Sequence, residues 1–268
     1  VFYFYKMKNN PIGLFDSGVG GTSIWKEVHQ ILPNENTIYL ADSRNAPYGY
    51  KTTEEIISLC IKNTDLLLQM GCKLIVVACN TATTNAISLL REKYDVPFIG
   101  IEPAIKPAAL NSKLKSIGIL ATKGTLNSRL FATTSDEFTE HIKVTEVIGE
   151  GLVPLIENGK LDDPEIKNLL KIFIQPMLKA NIDYLVLGCS HYPYLIPLLK
   201  KLLPKHIDII DSGEAVARQT KNILNKNNLL SNNKKTPILN FYTNTNTSTI
   251  KMLLNEYSNS ISIVKKEF

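Results

Sequence analysis

Two cysteines occupy the same place in two similar stretches of this chain. Leu74 to Ala78 is an apolar run followed by Cys79, Asn80 and Thr81 and then by a helical stretch. Leu185 to Gly188 is an apolar run followed by Cys189, Ser190 and His191 and then by another helical stretch. Each thiol therefore falls where a buried strand gives way to a helix. That is the end of an open α/β sheet at which ligands bind and helix N–H groups gather. Two such thiols, one from each half, can face one ligand from opposite sides. The pairing suits chemistry in which a proton leaves one face of a carbon and another arrives at the opposite face.

Taken singly, each candidate has a plain structural reading beside the chemical one. A thiol at a helix N-terminus feels N–H groups and the positive end of the helix dipole, which lower its pKa. A free thiol near ~8.5 is mostly protonated at neutral pH, and each unit of lowering takes about 1.4 kcal/mol of thiolate stabilisation. Asn80 and Thr81 add polar groups suited to a carboxylate, yet a lone Cys79 after a strand also reads as a small core residue. Cys189 has His191 two positions on, with Ser190 and Tyr192 beside them. Imidazole is the side chain suited to proton transfer near neutral pH, although His191 could equally be a structural histidine at a helix start.

Asp16-Ser17-Gly18-Val19-Gly20-Gly21 is a third candidate. Its glycines permit close approach of backbone to a ligand, and Asp16 at a strand end can accept or relay a proton. The plainer reading is a turn with Asp16 or Ser17 as a helix cap. The segment lacks the Gly-Lys-Ser/Thr ending of a phosphate loop, and Asp16 would repel phosphate. Cys60, on the apolar stripe of a helix, and Cys72, just before a strand, read as core residues. His29, His141 and His206 read as surface or helix-end residues.

The elements that must position these groups alternate. Strands are expected at Ile12–Phe15, Ile38–Leu40, Leu74–Ala78 and Phe98–Ile101, and again at Ile117–Leu120, Lys143–Val147, Tyr184–Leu187 and Ile207–Ile210. Helices are expected from Thr22, behind a Thr52/Glu55 capping box, over Thr83–Tyr94 and Ser128–Phe138, from Pro164 to Lys179 after an Asp163 cap, and over Ser212–Leu224. The separation of Asp16 from Cys79 nearly equals that of Thr122 from Cys189, and Cys79–Glu102 matches Cys189–Asp211, as in a diverged duplication. Asn225 to Lys235, rich in Asn and Lys, reads as an exposed loop or frayed helix end. Late strands at Ile238–Tyr242 and Ile261–Val264, around a helix near Thr249–Glu256, exceed the second series and are expected to return to the first. The expectation is two pseudo-symmetric three-layer α/β domains with mainly parallel sheets and the site in the cleft between them. The first domain would comprise residues 1–100 and 210–268, and the second 101–209.

Composition narrows the class. The 268 residues are 44% hydrophobic and 21% charged, an ordinary globular balance. No apolar run approaches the ~20 residues that span a bilayer, and the first ten residues do not read as a secretory signal. Met7 reads as a native start, with Val1–Lys6 ahead of it. Four cysteines without a close pair argue for reduced thiols and a cytoplasmic setting rather than a disulfide framework. The net charge of +5 is carried mainly by dispersed lysines, not by a basic stripe with aromatic platforms, so no nucleic-acid partner is expected. A weakly positive field can help collect an anionic small substrate.

Asp16-Ser-Gly-Val-Gly-Gly, Ala78-Cys-Asn-Thr-Ala and Gly188-Cys-Ser-His-Tyr-Pro resemble the three hallmark motifs of the glutamate racemase family, within the aspartate/glutamate racemase superfamily. Ala46-Pro-Tyr-Gly49 and Ala121-Thr-Lys-Gly-Thr125 match too, and the similarity runs from about Pro11 to Val264. One departure is Ser190, where the family usually has Thr. The resemblance implies a racemase that needs no cofactor and no metal and interconverts L- and D-glutamate with two cysteine bases. By motif, Cys79 would take the proton from D-glutamate and Cys189 from L-glutamate, assisted by Asp16 and His191 respectively. Glu157, in Val153-Pro-Leu-Ile-Glu157, would tune the His191 side. Substrate contacts would come from Asp16, Ser17, Tyr48, Gly49, Asn80, Thr81, Thr122, Thr125, Ser190 and His191. The resemblance further implies a bacterial cytoplasmic enzyme supplying D-glutamate for peptidoglycan, with a homodimer common in the family.

Three other readings stay open on the residues alone. An aspartate racemase differs by one methylene of substrate, a difference of only ~1–3 kcal/mol in binding. A hydrolase or acyltransferase could use Cys189 and His191 as nucleophile and base, leaving Cys79 unexplained. Cys79, Cys189 and His191 could also be metal ligands.

Overall fold

A computed structural model describes residues 8–232 and 235–268. Met7, Val1–Lys6 and part of the expected loop Asn225–Lys235 lie outside the described residues. The strands are β1 (Ile12–Asp16), β2 (Thr37–Ala41), β3 (Leu74–Val77), β4 (Phe98–Gly100), β5 (Ser116–Ala121), β6 (Lys143–Ile148), β7 (Tyr184–Gly188), β8 (Asp208–Ile210), β9 (Leu239–Thr243) and β10 (Ile261–Lys265). The helices are α1 (Thr22–Ile31), α2 (Thr53–Gln69), α3 (Asn80–Lys93), α4 (Ile105–Asn111), α5 (Lys123–Leu126), α6 (Arg129–Phe138), α7 (Leu152–Glu157), α8 (Pro164–Lys179), α9 (Ile196–Leu202), α10 (Gly213–Lys226) and α11 (Ser248–Leu253).

The apolar runs become strands because both of their faces are covered. Every residue of β1, β2, β3 and β5 is buried, whereas β6 and β10, at sheet edges, alternate toward solvent. The strands form two sheets, β10-β9-β2-β1-β3-β4 and β6-β5-β7-β8, and every pairing is parallel. Four adjacent strands of the first sheet, β2-β1-β3-β4, repeat the order of the whole second sheet. The expected α/β class with duplicated parallel sheets is therefore what the chain adopts. β9 and β10 extend the first sheet beyond β2.

Local signals account for many element ends. Thr52 and Glu55 form both bonds of the capping box at the start of α2. Asp163 caps α8, with Pro164 as its first residue. Three short helices, α4, α5 and α7, were not anticipated, and the last helix is shorter than expected, Ser248–Leu253 followed by a single 3-10 turn. Cys60 and Cys72 are buried as core residues, and burial pushes the Cys72 thiol up to about 12. His141 and His206 are exposed, while His29 stacks on Trp25 with ring centroids 5.0 Å apart.

A buried ion pair ties the far end of the first sheet together. Lys73 Nζ lies 2.5 Å from Glu35 Oε2 and also donates to the carbonyls of Lys8 and Leu229; Glu35 Oε1 accepts from the Ser231 N–H. No helix among the described residues is long and apolar enough to cross a membrane.

Candidate active site

The strand order sets the position of the site. β1 has β2 on one side and β3 on the other, so successive connections leave in opposite directions and open a crevice at the carboxyl ends of β1 and β3. Asp16 ends β1, and Cys79 follows β3 by two residues. In the second sheet Thr122 follows β5 and Cys189 follows β7, at the matching crevice. The helix after Cys79 begins at Asn80, three residues ahead of the expected Thr83. Cys79 is itself the cap, its sulfur accepting from the Ala82 N–H at 3.4 Å. Two β-branched threonines in the first turns bond locally, Thr83 Oγ1 to the Val77 carbonyl and Thr84 Oγ1 to the Thr81 carbonyl. After Cys189 the chain makes a 3-10 turn, Tyr192–Leu195, before α9.

The two crevices meet in one cavity of about 240 Å³. Cys79 and Cys189 both line it, with Ser17, Tyr48, Gly49, Asn80, Thr81, Thr122, Ser190 and His191. Pro47 and Val153 complete the wall. Both fall inside motifs quoted above, Ala46–Gly49 and Val153–Glu157, but were not named there as site residues, because they carry no titratable or polar signal. Asp16, Thr125 and Glu157 stand behind the wall, in contact with groups that line it.

Behind Cys79, Asp16 is fully buried. Its Oδ2 accepts the N–H groups of Gly18 (3.2 Å) and Gly21 (2.9 Å), and Oδ1 accepts from Ser190 Oγ at 3.2 Å. Burial raises the pKa of Asp16, a shift opposed by the nearby His191 charge. Burial, and next the negative charge of Asp16, holds the Cys79 thiol well above its ordinary range. Ser17 Oγ lies 3.8 Å from the Cys79 sulfur. These surroundings therefore keep Cys79 as a thiol beside a carboxyl group whose own proton affinity is raised.

Cys189 is set differently. Its sulfur lies 3.7 Å from Nδ1 of His191, and Nε2 of the same ring lies 2.5 Å from Oε1 of Glu157. The Gly20 N–H also points at Nε2, at 3.2 Å. The shorter contact assigns the Nε2 proton to the bond with Glu157. Burial works against a charge on His191, but its hydrogen bonds to Cys189 and Glu157 outweigh that and hold its pKa well above the usual histidine range. The ring that lies against the Cys189 sulfur is thus one that favours its protonated form. The glycines of the first motif make this contact possible. A Cβ on Gly18 would fall on the Glu157 carboxylate, and one on Gly20 on the His191 ring.

The hydroxyl groups of three threonines close the cavity across the two sheets. Thr81 Oγ1 lies 2.8 Å from Thr122 Oγ1 and 3.3 Å from Thr125 Oγ1, and Thr122 and Thr125 are 3.0 Å apart. Beside them Gly49 and Gly124 nearly touch, a Cβ on Gly124 falling 3.0 Å from the Gly49 Cα. Tyr48 presents its ring, because its hydroxyl donates to Asp42 Oδ2 at 2.6 Å and accepts from Asn63. Asp42, fully buried, also accepts from Asn45 and Asn244 and anchors this loop. Oδ1 of Asn80 is buried without a hydrogen-bond partner, an acceptor available to a ligand N–H. Among the described residues no group of His, Cys, Asp and Glu side chains has the arrangement of a metal site.

This geometry agrees with comparisons to known proteins. The Asp/Glu/Hydantoin racemase family model matches residues 12–220. A curated relative, glutamate racemase of Pseudomonas syringae pv. tomato, is 47% identical over 221 residues, covering 82% of this chain and 80% of the relative. The crystal structure of glutamate racemase from Francisella tularensis in complex with D-glutamate superposes with a TM-score of 0.82 at 30% identity, covering 96% of this chain and 98% of that one. That of the Escherichia coli glutamate racemase, in complex with L-glutamate and the activator UDP-MurNAc-ala, gives 0.85 at 31% identity, with 96% and 98% covered. The chain belongs to the Asp/Glu/Hydantoin racemase family and is an isomerase of the racemase class.

Proposed function

We propose that this protein interconverts L- and D-glutamate by a two-base mechanism in which Cys79 and Cys189 serve opposite faces of the α-carbon. The observation that carries this reading is that both thiols line one cavity, each backed by its own acid–base partner. The relatives named as glutamate racemases, and those solved with D- or L-glutamate bound, support the choice of substrate.

L-Glutamate gives its α-proton to Cys189 as the thiolate, and Cys79 as the thiol delivers a proton to the other face. From D-glutamate the roles exchange, with Asp16 taking up the Cys79 proton. The carbanion has no cofactor to spread its charge, so pre-placed donors and exclusion of water must lower the barrier. The Thr81, Thr122 and Ser190 hydroxyls and nearby N–H groups suit the substrate carboxylates, and the unpartnered Asn80 Oδ1 suits its ammonium. Glu157 holds His191 as the cation.

The same proposal includes a division into two domains, residues 1–100 with 210–268 and residues 101–209, supported by the membership of β9 and β10 in the first sheet. It also includes a cytoplasmic homodimer supplying D-glutamate for peptidoglycan. The test is α-hydrogen exchange in deuterated water, followed separately for both enantiomers of glutamate and of aspartate. Deuterium entry and loss of optical rotation with glutamate, without added cofactor, is the expected result. Racemisation only with added pyridoxal phosphate overturns the mechanism, and preference for aspartate overturns the substrate.

A further inference from the structure

We infer that Glu157 is the gate through which protons pass between the buried thiol pair and solvent, with Ser43 as the residue that positions it. The inference rests on the two-thiol reading above and goes beyond a tuning role for Glu157.

The carboxylate of Glu157 faces two ways. Inward, Oε1 meets His191 Nε2 at 2.5 Å and accepts the Val19 N–H at 2.6 Å. Outward, Oε2 accepts from Ser43 Oγ at 2.8 Å. The His191 side chain is 1% exposed and that of Glu157 13%. Glu157 and Ser43 line a second, open cavity of about 570 Å³, together with Asn158, Thr245 and Asn246. The groups on the Cys79 side have no such outlet. Asp16 is bonded to two buried N–H groups and to Ser190, and the onward step from Ser190 Oγ is His191 Nδ1, 3.5 Å away. Both branches of the network therefore converge on His191 and leave through Glu157.

A two-base racemase must reset its two bases, and exchange with solvent is one way to do so. Each L-to-D turnover leaves Cys189 with one proton more and Cys79 with one fewer, and the pair must be reset before another L-glutamate can react. When Cys189 takes the α-proton an S–H bond forms, and the negative charge that held the imidazolium is gone. The ring then passes its Nε2 proton to Oε1 of Glu157. The N–H bond breaks, an O–H bond forms, and the ring keeps the electron pair and becomes neutral. The carboxylic acid releases its proton to water entering the outer cavity and returns to the carboxylate. Cys189 then gives its S–H proton to Nδ1 as the Nδ1 proton moves through Ser190 Oγ and Asp16 to the Cys79 thiolate, and a proton from solvent returns through Glu157 to Nε2, so that the Cys189 thiolate, the imidazolium and the Cys79 thiol are restored with no net gain or loss of protons. In the D-to-L direction the same route runs in reverse.

The test reads the reset directly. Glutamate carrying a carbon label is brought to equilibrium between its enantiomers, and a large excess of unlabelled L-glutamate is added. Where reset is slow, net flux holds the enzyme in the form that binds D-glutamate, and the label is driven transiently into the L pool. Glu157→Gln is expected to give a transient several-fold larger than wild type, and Ser43→Ala an intermediate one. A purely structural role predicts the opposite sign, because slower chemistry with unchanged reset shrinks the transient. Variants that racemise with a transient no larger than wild type overturn the gate and leave the two-thiol reading standing. A wild-type protein that does not racemise glutamate overturns the reading beneath it. Should Glu157→Gln fail to fold, Ser43→Ala carries the decision, since it leaves both the carboxylate and the imidazole in place.

Discussion

Cys79 and Cys189 stand at corresponding positions in two sheets of one strand order, yet their surroundings are opposite in charge. Cys79 faces a buried carboxyl group and caps a fourteen-residue helix. Cys189 faces an imidazole that Glu157 keeps protonated and is followed by a 3-10 turn. In the proposed mechanism a symmetric chemical task falls to an asymmetric pair, one thiol served by a base and the other by a cation.

Under the proposed mechanism, replacing either sulfur removes one of two obligatory proton carriers. Cys79→Ser and Cys189→Ser should each lower racemisation by on the order of 10²- to 10⁴-fold, the usual worth of a positioned acid–base group. Their circular dichroism and thermal midpoint should stay near wild type. A fully active Cys79→Ser enzyme would favour the hydrolase-like use of Cys189 alone.

The partners of the thiols should act on one proton transfer each, but the effect is hidden in ordinary rate constants. Enantiomers have equal free energy, so kcat/KM must fall by the same factor in both directions. The primary deuterium isotope effect escapes this constraint. Asp16→Asn should raise it for D-[2-²H]glutamate and lower it for the L-enantiomer, and His191→Asn should do the reverse. Equal changes for both enantiomers would contradict the assignment.

His191 also links stability to pH. Its folded pKa is raised above the ordinary value of 6.5, so it binds a proton more tightly folded than unfolded. The stabilisation is fully present below the ordinary value and disappears as pH rises through the raised one. The denaturation midpoint of wild type relative to His191→Gln should be most favourable below pH 6.5 and should narrow steadily into alkaline buffer. A gap that widens with pH would reverse the sign.

Glu35→Ala leaves the buried Lys73 ammonium without its counter-charge. Removal of one member of a buried pair costs about 3–5 kcal/mol. Urea unfolding should register that loss, while the activity of the folded fraction remains, because the pair lies at the end of the sheet opposite the thiols. Restoring a carboxylate with Glu35→Asp should recover part of it.

Gly20→Ala tests the close approach of the first motif to His191. Its methyl group must push the ring away, with a packing cost of about 1–3 kcal/mol. Activity should fall much further than stability, since the Cys189–His191 contact is the first thing displaced. Wild-type activity in this variant would mean the ring has freedom that the packing denies.

The parts of this fold that could be read from the chain are those written locally. Leu74–Val77 and Tyr184–Gly188 are apolar runs buried on both faces, and the Thr52–Glu55 box lies within four residues. Their positions, and those of the two thiols, follow from composition and spacing. Helix α4 was masked by Pro103 and Pro107 around a seven-residue segment, and α7, six residues long, leaves too little periodicity to see. The start of α3 was misplaced because its threonines disfavour helix until their hydroxyls find carbonyls nearby. Contacts between distant positions left no trace at all. Ser43 meets Glu157 across 114 positions, and Asp42 meets Asn244 across 202. Glu157 itself stood out through family resemblance rather than through any pattern around it.

The near-touch of Gly49 and Gly124 has a practical consequence. These two backbones are the lips of the cleft, and a Cβ at position 124 would press on both Gly49, at 3.0 Å, and the Thr81 methyl group, at 2.8 Å. A bulky side chain at position 124 would act as a doorstop, separating the two jaws without altering any group that handles protons. Such a wedge would distinguish how much of the rate is owed to shutting the mouth from how much is owed to the teeth.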